Sequence, residues 1–232
     1  MSTLPHIFIT ATGTEVGKTY VSALLVKALR EQGIDAGYFK PALSDAYFKN
    51  GRLIPGDAAY VCEVAGLEEE PCNLVSHIYT TPVSPHLAAR QEDTASVSIV
   101  KIMQDFERHA EKHDMLVIEG CGGIVCPLSE DPSLMLSDVM QKIGAPLLIV
   151  SDSSVGSINS CVLTIEYARQ HHLHIVGVLM NNYDAQSILH SDNAFQIEKL
   201  TGIEVLGTVS SGASIINFDE GLNAFLKSVQ AI

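Results

Sequence analysis

The sequence predicts a doubly wound α/β fold, a mostly parallel sheet flanked by helices, and three observations carry that prediction. Short apolar runs at residues 6–10, 36–40, 115–119, 147–151, 175–181 and 205–209 read as strands. The stretches between them are mostly helical in pattern. The run Leu147-Leu148-Ile149-Val150 is continuously apolar, as expected of a strand covered on both faces. Such alternation builds a three-layer sandwich whose ligand crevice lies outside the carboxyl ends of the strands.

The first run is followed by Ala11-Thr12-Gly13-Thr14-Glu15-Val16-Gly17-Lys18-Thr19. Val21, Leu24, Leu25 and Ala28 then fall at i, i+3, i+4 and i+7 of a helix. A buried strand that turns through Gly-Lys-Thr into a helix is a phosphate-binding loop, because backbone NH groups converge on phosphate oxygens at the positive helix end. Gly17 permits close backbone approach, Lys18 brings a cation to the outer phosphates, and the Thr19 hydroxyl is placed to ligate magnesium beside them. The loop is a variant: where a Gly usually stands, five residues before Gly17, this chain has Thr12, with Ala11 and Gly13 on either side. The fold is therefore expected to be P-loop NTPase-like and to handle a nucleoside triphosphate.

The second run ends in Lys40-Pro41, which delivers another cation to the same sheet edge. Asp57 follows the turn-forming Pro55-Gly56 and either completes a metal shell or caps the helix beginning near Ala58; position alone does not decide. Ile99, Met103, Phe106 and Ala110 keep helical spacing before Met115-Leu116-Val117-Ile118, which ends in Glu119-Gly120-Cys121-Gly122-Gly123. That ending sets a carboxylate suited to magnesium at the crevice, followed by flexible backbone. A further helical stripe, Ile158, Cys161, Val162 and Ile165, follows the fourth run, and Asn159 near its start either caps that helix or serves an anion site.

Composition bounds the rest. At 232 residues, with 47% hydrophobic residues and no Pro/Ser-rich linker, the chain is expected to form one domain, 1–232, around one sizeable core. A formal charge of −13 argues against nucleic acid or an anionic membrane as partner, since both require clustered Lys and Arg. Cys62, Cys72, Cys121, Cys126 and Cys161 are odd in number and lack zinc spacing, so they read as reduced thiols. Without a leader-like start or a bilayer-length apolar run, the expected location is the cytoplasm. His171-His172-Leu173-His174 follows the 158–165 helix, where His suits the negative end better than a metal. Cys121 and Cys126 read as small buried thiols, and Glu68-Glu69-Glu70 as a solvated loop.

Taken together, these motifs resemble the dethiobiotin synthetases over nearly the whole chain. The family's Thr-Gly-Thr-Asp-Thr-x-Val-Gly-Lys-Thr corresponds to residues 10–19, its Lys-Pro followed by Ser to Lys40-Pro41 and Ser44, its Thr-Ser-Pro-His to Val83-Ser84-Pro85-His86, and its Glu-Gly-Ala-Gly-Gly to residues 119–123. Ala11 and Gly13 replace the family's usual Gly and Asp, and Cys121 replaces Ala. Where the family has Gly-x-Ile-Pro after its last strand, this chain has Gly207-Thr208-Val209-Ser210.

The resemblance implies ATP-dependent closure of 7,8-diaminononanoate with CO2 (from bicarbonate) to dethiobiotin, ADP and phosphate, by way of a carbamate and a carbamic-phosphoric anhydride. It implies Lys40, Lys18 and Thr14 as catalytic groups and Ser44, Gly122, Gly156 and Asn159 as substrate contacts. Thr19, Asp57 and Glu119 would hold Mg2+. The nucleotide would meet Glu15, Val16, Gly17, Lys18, Thr19 and Tyr20 in the loop, and Asp57, Glu119, Gly120, Cys121 and Gly122 at the strand ends. Asn181, Asn182, Val209 and Ser210 would meet its base. A homodimer is implied, with the segment from Gly156 to Asn159 reaching the neighbouring subunit's substrate tail.

Two rivals share the nucleotide domain. A partition-type switch ATPase, acting through a macromolecular partner, carries an extra Lys five residues before the loop Lys, where this chain has Gly13. A cobyrinate-type amidoligase adds a long glutaminase domain for which 232 residues leave no room.

Overall fold

The computed structural model describes residues 5–130 and 133–230. β1 (Ile7–Ala11) leads into α1 (Lys18–Glu31), and β2 (Ala36–Leu43) into a hairpin of β3 (Tyr47–Lys49) and β4 (Arg52–Ile54), then α2 (Gly56–Ala65). A 3-10 turn, Pro71–Leu74, precedes β5 (Val75–Ile78), α3 (Pro85–Gln91) and α4 (Ile99–Ala110). The chain continues through β6 (Met115–Glu119), α5 (Leu136–Ile143), β7 (Leu147–Asp152), α6 (Ser157–Gln170) and β8 (Ile175–Asn181). It ends with α7 (Ile188–Thr201), β9 (Val205–Val209), β10 (Asn217–Phe218) and α8 (Leu222–Gln230).

The main sheet runs β10-β9-β8-β7-β1-β6-β2-β5. Its neighbours pair in parallel, except that β10 lies antiparallel to β9. Strand order reverses beside β1, so the crevice expected of such a sheet opens where β1 passes into α1. In β1, β6 and the first half of β2, side chains alternate between two cores. Ile7, Ile9, Tyr38 and Val117 pack with α1 and α2, whereas Phe8, Phe39, Leu116 and Ile118 pack with α4 and α5. Both faces are therefore apolar, which is why these strands read as continuous runs.

All six predicted runs are strands, with informative shifts at their ends. His6 lies outside β1, where its Nδ1 accepts a hydrogen bond from the Leu116 NH at 3.0 Å. β2 does not stop at Lys40. Its pairing with β6 ends at Phe39↔Ile118, and β5 takes over at Lys40↔Val75, carrying the strand through Pro41 to Leu43. β5, the β3–β4 hairpin and β10 are absent from the sequence-based reading because each is short and half polar. The hairpin turns through Asn50-Gly51, both at positive φ, a strong hairpin dipeptide.

The helical stripes hold in part. Val21, Leu24, Leu25, Cys161 and Ile165 are buried, but α4 turns Ile102, Asp105, Phe106 and His109 inward rather than the predicted set as a whole. Buried Asp105 is satisfied there by the Ser76 hydroxyl at 2.8 Å and by Lys101 at 2.5 Å.

Candidate active site

Three strand ends build the site. After β1 the chain turns through Gly17, whose φ of 91° lies in the left-handed region that glycine adopts at little cost. A Cβ on Gly17 would stand 2.1 Å from Asn181 Nδ2, so the loop needs glycine here on steric grounds as well. That amide, at the end of β8, donates to the Val16 carbonyl at 2.9 Å and supports the loop from beneath. Lys18, the first residue of α1, is buried and folds back to donate to the Gly13 carbonyl at 2.9 Å. Burial lowers its pKa, and the Glu119 carboxylate opposes that shift.

At the adjacent strand ends lies a buried polar cluster. Glu119, the last residue of β6, is 0% exposed. Its Oε1 accepts from Thr19 Oγ1 at 2.8 Å and Lys40 Nζ at 2.5 Å, and its Oε2 accepts from the Tyr38 hydroxyl at 2.8 Å. Lys40 also pairs with Asp57 Oδ2 at 2.9 Å. At 3% exposure Lys40 is not the solvated strand-end lysine that its position alone would suggest. Burial pushes the lysine toward its neutral form, but the Glu119 and Asp57 carboxylates outweigh it and raise the pKa, so the ammonium is fixed. For Asp57, burial raises the pKa and the Lys40 ammonium more than reverses it, leaving the group below its ordinary value. Burial, with the Glu119 charge, raises the Tyr38 phenol well above its ordinary value, which keeps it a donor.

Asp57 therefore serves the cluster and not a helix cap. α2 begins at Gly56 after Pro55, no side chain caps it, and Asp57 sits in its first turn. The loop after β6 closes the floor. Gly120 NH bonds to the Ile9 carbonyl at 2.9 Å, and Gly123 packs close to the Ala11 carbonyl and Gly13. Cys121 and Cys126 are both buried, and the Cys126 thiol donates to the Pro127 carbonyl at 3.8 Å.

These groups face one open cleft of about 590 Å³. Thr14, Glu15, Gly17, Lys18 and Thr19 line it from the loop, Lys40, Ser44 and Asp57 from β2 to α2, and Glu119, Cys121 and Gly122 from β6. The Ser44 hydroxyl is buried and carries no protein hydrogen bond, so it is available to a ligand. The cleft also takes in Leu43, Asp45, Cys126 and the Pro82–Pro85 stretch, none of which the sequence reading assigned a site role. The Ser84-Pro85 motif marked that stretch, and period-2 alternation would have paired Tyr38 with Lys40 on one face of β2.

Other expected residues stand apart from the cleft walls. Tyr20 bonds to the Ala213 carbonyl in the loop after β9, and Asn182 donates to Asp152 Oδ1 at 2.9 Å. Val209 ends β9 and Ser210 is exposed just beyond it. The Asn181 Oδ1 is buried without a protein partner, a free acceptor beside the loop. Gly156 and Asn159 are exposed at the start of α6 and do not reach this chain's cleft. Among the described residues no group of three or more His, Cys, Asp or Glu is placed to hold a metal, so His171, His172 and His174 form no such centre. Glu69 departs from the solvated-loop expectation and meets His113 Nε2 at 3.2 Å.

A parallel sheet, a glycine turn into α1 and a buried Lys–carboxylate cluster at one crevice define a P-loop nucleotide-binding protein. Consistent with that class, a family model described as "AAA domain" matches residues 5–217. MinD from the Aquifex aeolicus MinC:MinD cell division complex is among its structural neighbours, at 14% identity and a TM-score of 0.56 over 97% of this chain and 86% of that one, which is a likeness of fold. The chain is 44% identical to an "ATP-dependent dethiobiotin synthetase BioD" of Clostridium botulinum strain Alaska E43, over 86% of this chain and 88% of the relative. It is 41% identical to the protein of the same name from Clostridium perfringens strain ATCC 13124, over 92% and 93% respectively. The chain belongs to the dethiobiotin synthetase family.

Proposed function

We propose that the chain closes 7,8-diaminononanoate with CO2 to dethiobiotin at the expense of ATP, releasing ADP and phosphate. The observation that carries this reading beyond family membership is Lys40: a buried, permanently charged ammonium from β2, held at the end of the phosphate loop by two carboxylates. One substrate amine captures CO2 as a carbamate, whose oxygen attacks the γ-phosphoryl group and expels ADP. The second amine then attacks the carbamic-phosphoric anhydride, closing the ureido ring and expelling phosphate. Both phosphoryl donor and acceptor are anions, so the protein's task is to position them and neutralise charge. Lys18 takes the outer phosphates, Lys40 the carbamate and transferring oxygens, and Thr14 and Ser44 offer hydroxyls to the same groups. No protein nucleophile is needed.

Glu119 Oε1 links to Thr19 Oγ1 directly and to Asp57 Oδ2 through Lys40, and these three side chains supply an all-oxygen donor set that fits Mg2+, a cation that takes few protein ligands and completes its shell with phosphates and water. When bound, it would neutralise the β- and γ-phosphates. Tyr20 is assigned to the nucleotide with the rest of the loop, and Asn181, Asn182, Val209 and Ser210 to the base; the unpartnered Asn181 Oδ1 suits an exocyclic amino group.

The substrate's far carboxylate needs an anion site separate from the phosphate loop, and the exposed start of α6 offers NH groups and Asn159. Asn159 and Leu163 share one exposed face of α6 beside Val155, which supports a homodimer in which this segment serves the partner's cleft. One domain, no nucleic-acid or membrane partner and a cytoplasmic location complete the reading. It draws on the charge of −13, on five free thiols and on the absence, among the described residues, of a helix long and apolar enough to cross a membrane.

The test is incubation with MgATP, 13C-bicarbonate and the diamine, followed by mass analysis for a labelled cyclic urea matched by phosphate release. Phosphate release that ignores the diamine and responds to a protein or DNA partner would instead support the switch ATPase.

A further inference from the structure

We infer that Tyr38 is a positioning residue that holds Glu119 in a one-oxygen presentation to the cleft; this rests on the reading of Glu119 as a metal ligand. Tyr38 and Lys40 stand two apart on β2 and point to the same face, and the β2–β6 register, Tyr38↔Val117 and Phe39↔Ile118, brings Lys40 abreast of Glu119. Both side chains reach the same carboxylate, but at different oxygens. Tyr38 Oη donates to Oε2 at 2.8 Å, whereas Lys40 Nζ and Thr19 Oγ1 meet Oε1 at 2.5 and 2.8 Å. Oε2 thus faces the core and Oε1 faces the phosphate loop.

The terminal torsion of a glutamate is broad and roughly two-fold, so nothing in the side chain itself distinguishes its two oxygens. The phenol does. It is fully buried within a cluster whose strand neighbours Ile9, Ala36 and Val117 are apolar, and its hydroxyl donates to Glu119. With Oε2 held, Glu119 would offer a cation only Oε1, once the Lys40 and Thr19 donors turn from it, and a single oxygen suits the near-octahedral, water-retaining demands of Mg2+ better than a chelating carboxylate. Outer groups that orient a metal ligand in this way typically change affinity or activity 10- to 100-fold when removed.

A buried tyrosine also needs an acceptor for stability alone, so the test must read something that a packing role would leave unmoved. Tyr38→Phe keeps the ring and deletes the donor. With a non-hydrolysable ATP analogue present, Mn2+ binding followed by electron paramagnetic resonance should weaken about tenfold, while binding of the analogue without metal stays as in the parent protein. Unchanged Mn2+ binding in a folded Tyr38→Phe protein would overturn the positioning role and leave the metal assignment standing. Failure of the parent protein itself to bind Mn2+ with the analogue would instead remove the metal site on which the inference rests.

If Tyr38→Phe does not fold, the same comparison is made in the Glu119→Gln background, where no carboxylate charge is left buried without its donor. There Tyr38→Phe should add no further loss of Mn2+ affinity, because its effect passes through Glu119. An additional tenfold loss would show that it acts by another route.

Discussion

The strand ends around the phosphate loop and the start of α6 are organised in opposite ways. At the ends of β1, β2 and β6 three charged groups are buried and held inside the chain: Lys18 on a loop carbonyl, Lys40 on Asp57 and Glu119, Glu119 on Thr19 and Tyr38. At the start of α6, Gly156 and Asn159 stand exposed, next to Val155 at 83% exposure. The difference teaches that one chain builds the phosphoryl-transfer half of the proposed site alone, with preorganised dipoles and charges. The half proposed to hold the substrate's tail lies exposed at the surface, where the proposed dimer would cover it.

The largest effect should come from the buried half. Lys40→Ala should reduce turnover by about 10² to 10³ at saturating substrates, the cost of losing one preorganised donor to a developing charge. Lys18→Ala should in addition weaken nucleotide binding. Steady-state phosphate release paired with nucleotide titration separates the two, and normal turnover by Lys40→Ala would take that residue out of the chemistry.

Gly17→Ala should follow. A left-handed non-glycine residue costs about 1–2 kcal/mol, and here the new methyl also strikes Asn181 Nδ2. Nucleotide affinity should fall about tenfold or more for that cost, and wild-type affinity in calorimetry would contradict the account of the loop. A smaller change is expected from Asp57→Asn, because Asp57 is the partly exposed member of the cluster. Its midpoint in a Mg2+ titration of activity should rise, and an unmoved midpoint would remove it from the shell.

The smallest effect lies away from the cleft. Burial holds His6, His77 and His109 below the ordinary histidine value of 6.5. Such groups take up protons first in the unfolded chain, so their contribution is level above about pH 7 and is lost as the pH falls below 6.5 toward their folded values. Asp57, whose folded pKa lies below 3.8, keeps its contribution throughout that interval and loses it only as the pH falls through the folded value. Melting temperature should therefore drop between pH 7.5 and 5.5, and the drop should shrink in His109→Gln; a flat profile would contradict the burial argument.

How much of this was legible in the sequence follows the same division. The strands at the centre of the sheet announced themselves because burial on both faces leaves continuous apolar runs, and the phosphate loop because its glycine and lysine are local in sequence; β9 is buried only at alternate positions. Lys40 and Glu119 were visible as polar residues ending such runs. Period-2 alternation puts Tyr38 on the face of Lys40, but its partner Glu119 depends on which strand lies beside β2, a long-range pairing that no local pattern encodes. β5 and the extension of β2 it creates were not visible either, because Val75-Ser76-His77-Ile78 is too short and polar to stand out. Asp57 was ambiguous until the fold brought it to Lys40.

The division of the site between two chains can be tested directly by complementation. Asn159→Ala and Lys18→Ala proteins, each impaired alone, are mixed, and subunit exchange is confirmed by native mass spectrometry. If the tail is held across the interface, each hybrid has one intact and one doubly damaged site, and random exchange at equal amounts restores about a quarter of the wild-type sites. Dethiobiotin formation at that level is the predicted result. Hybrids demonstrably present with no recovery would place Asn159 and Lys18 in the same chain's site, or deny Asn159 a part in the reaction.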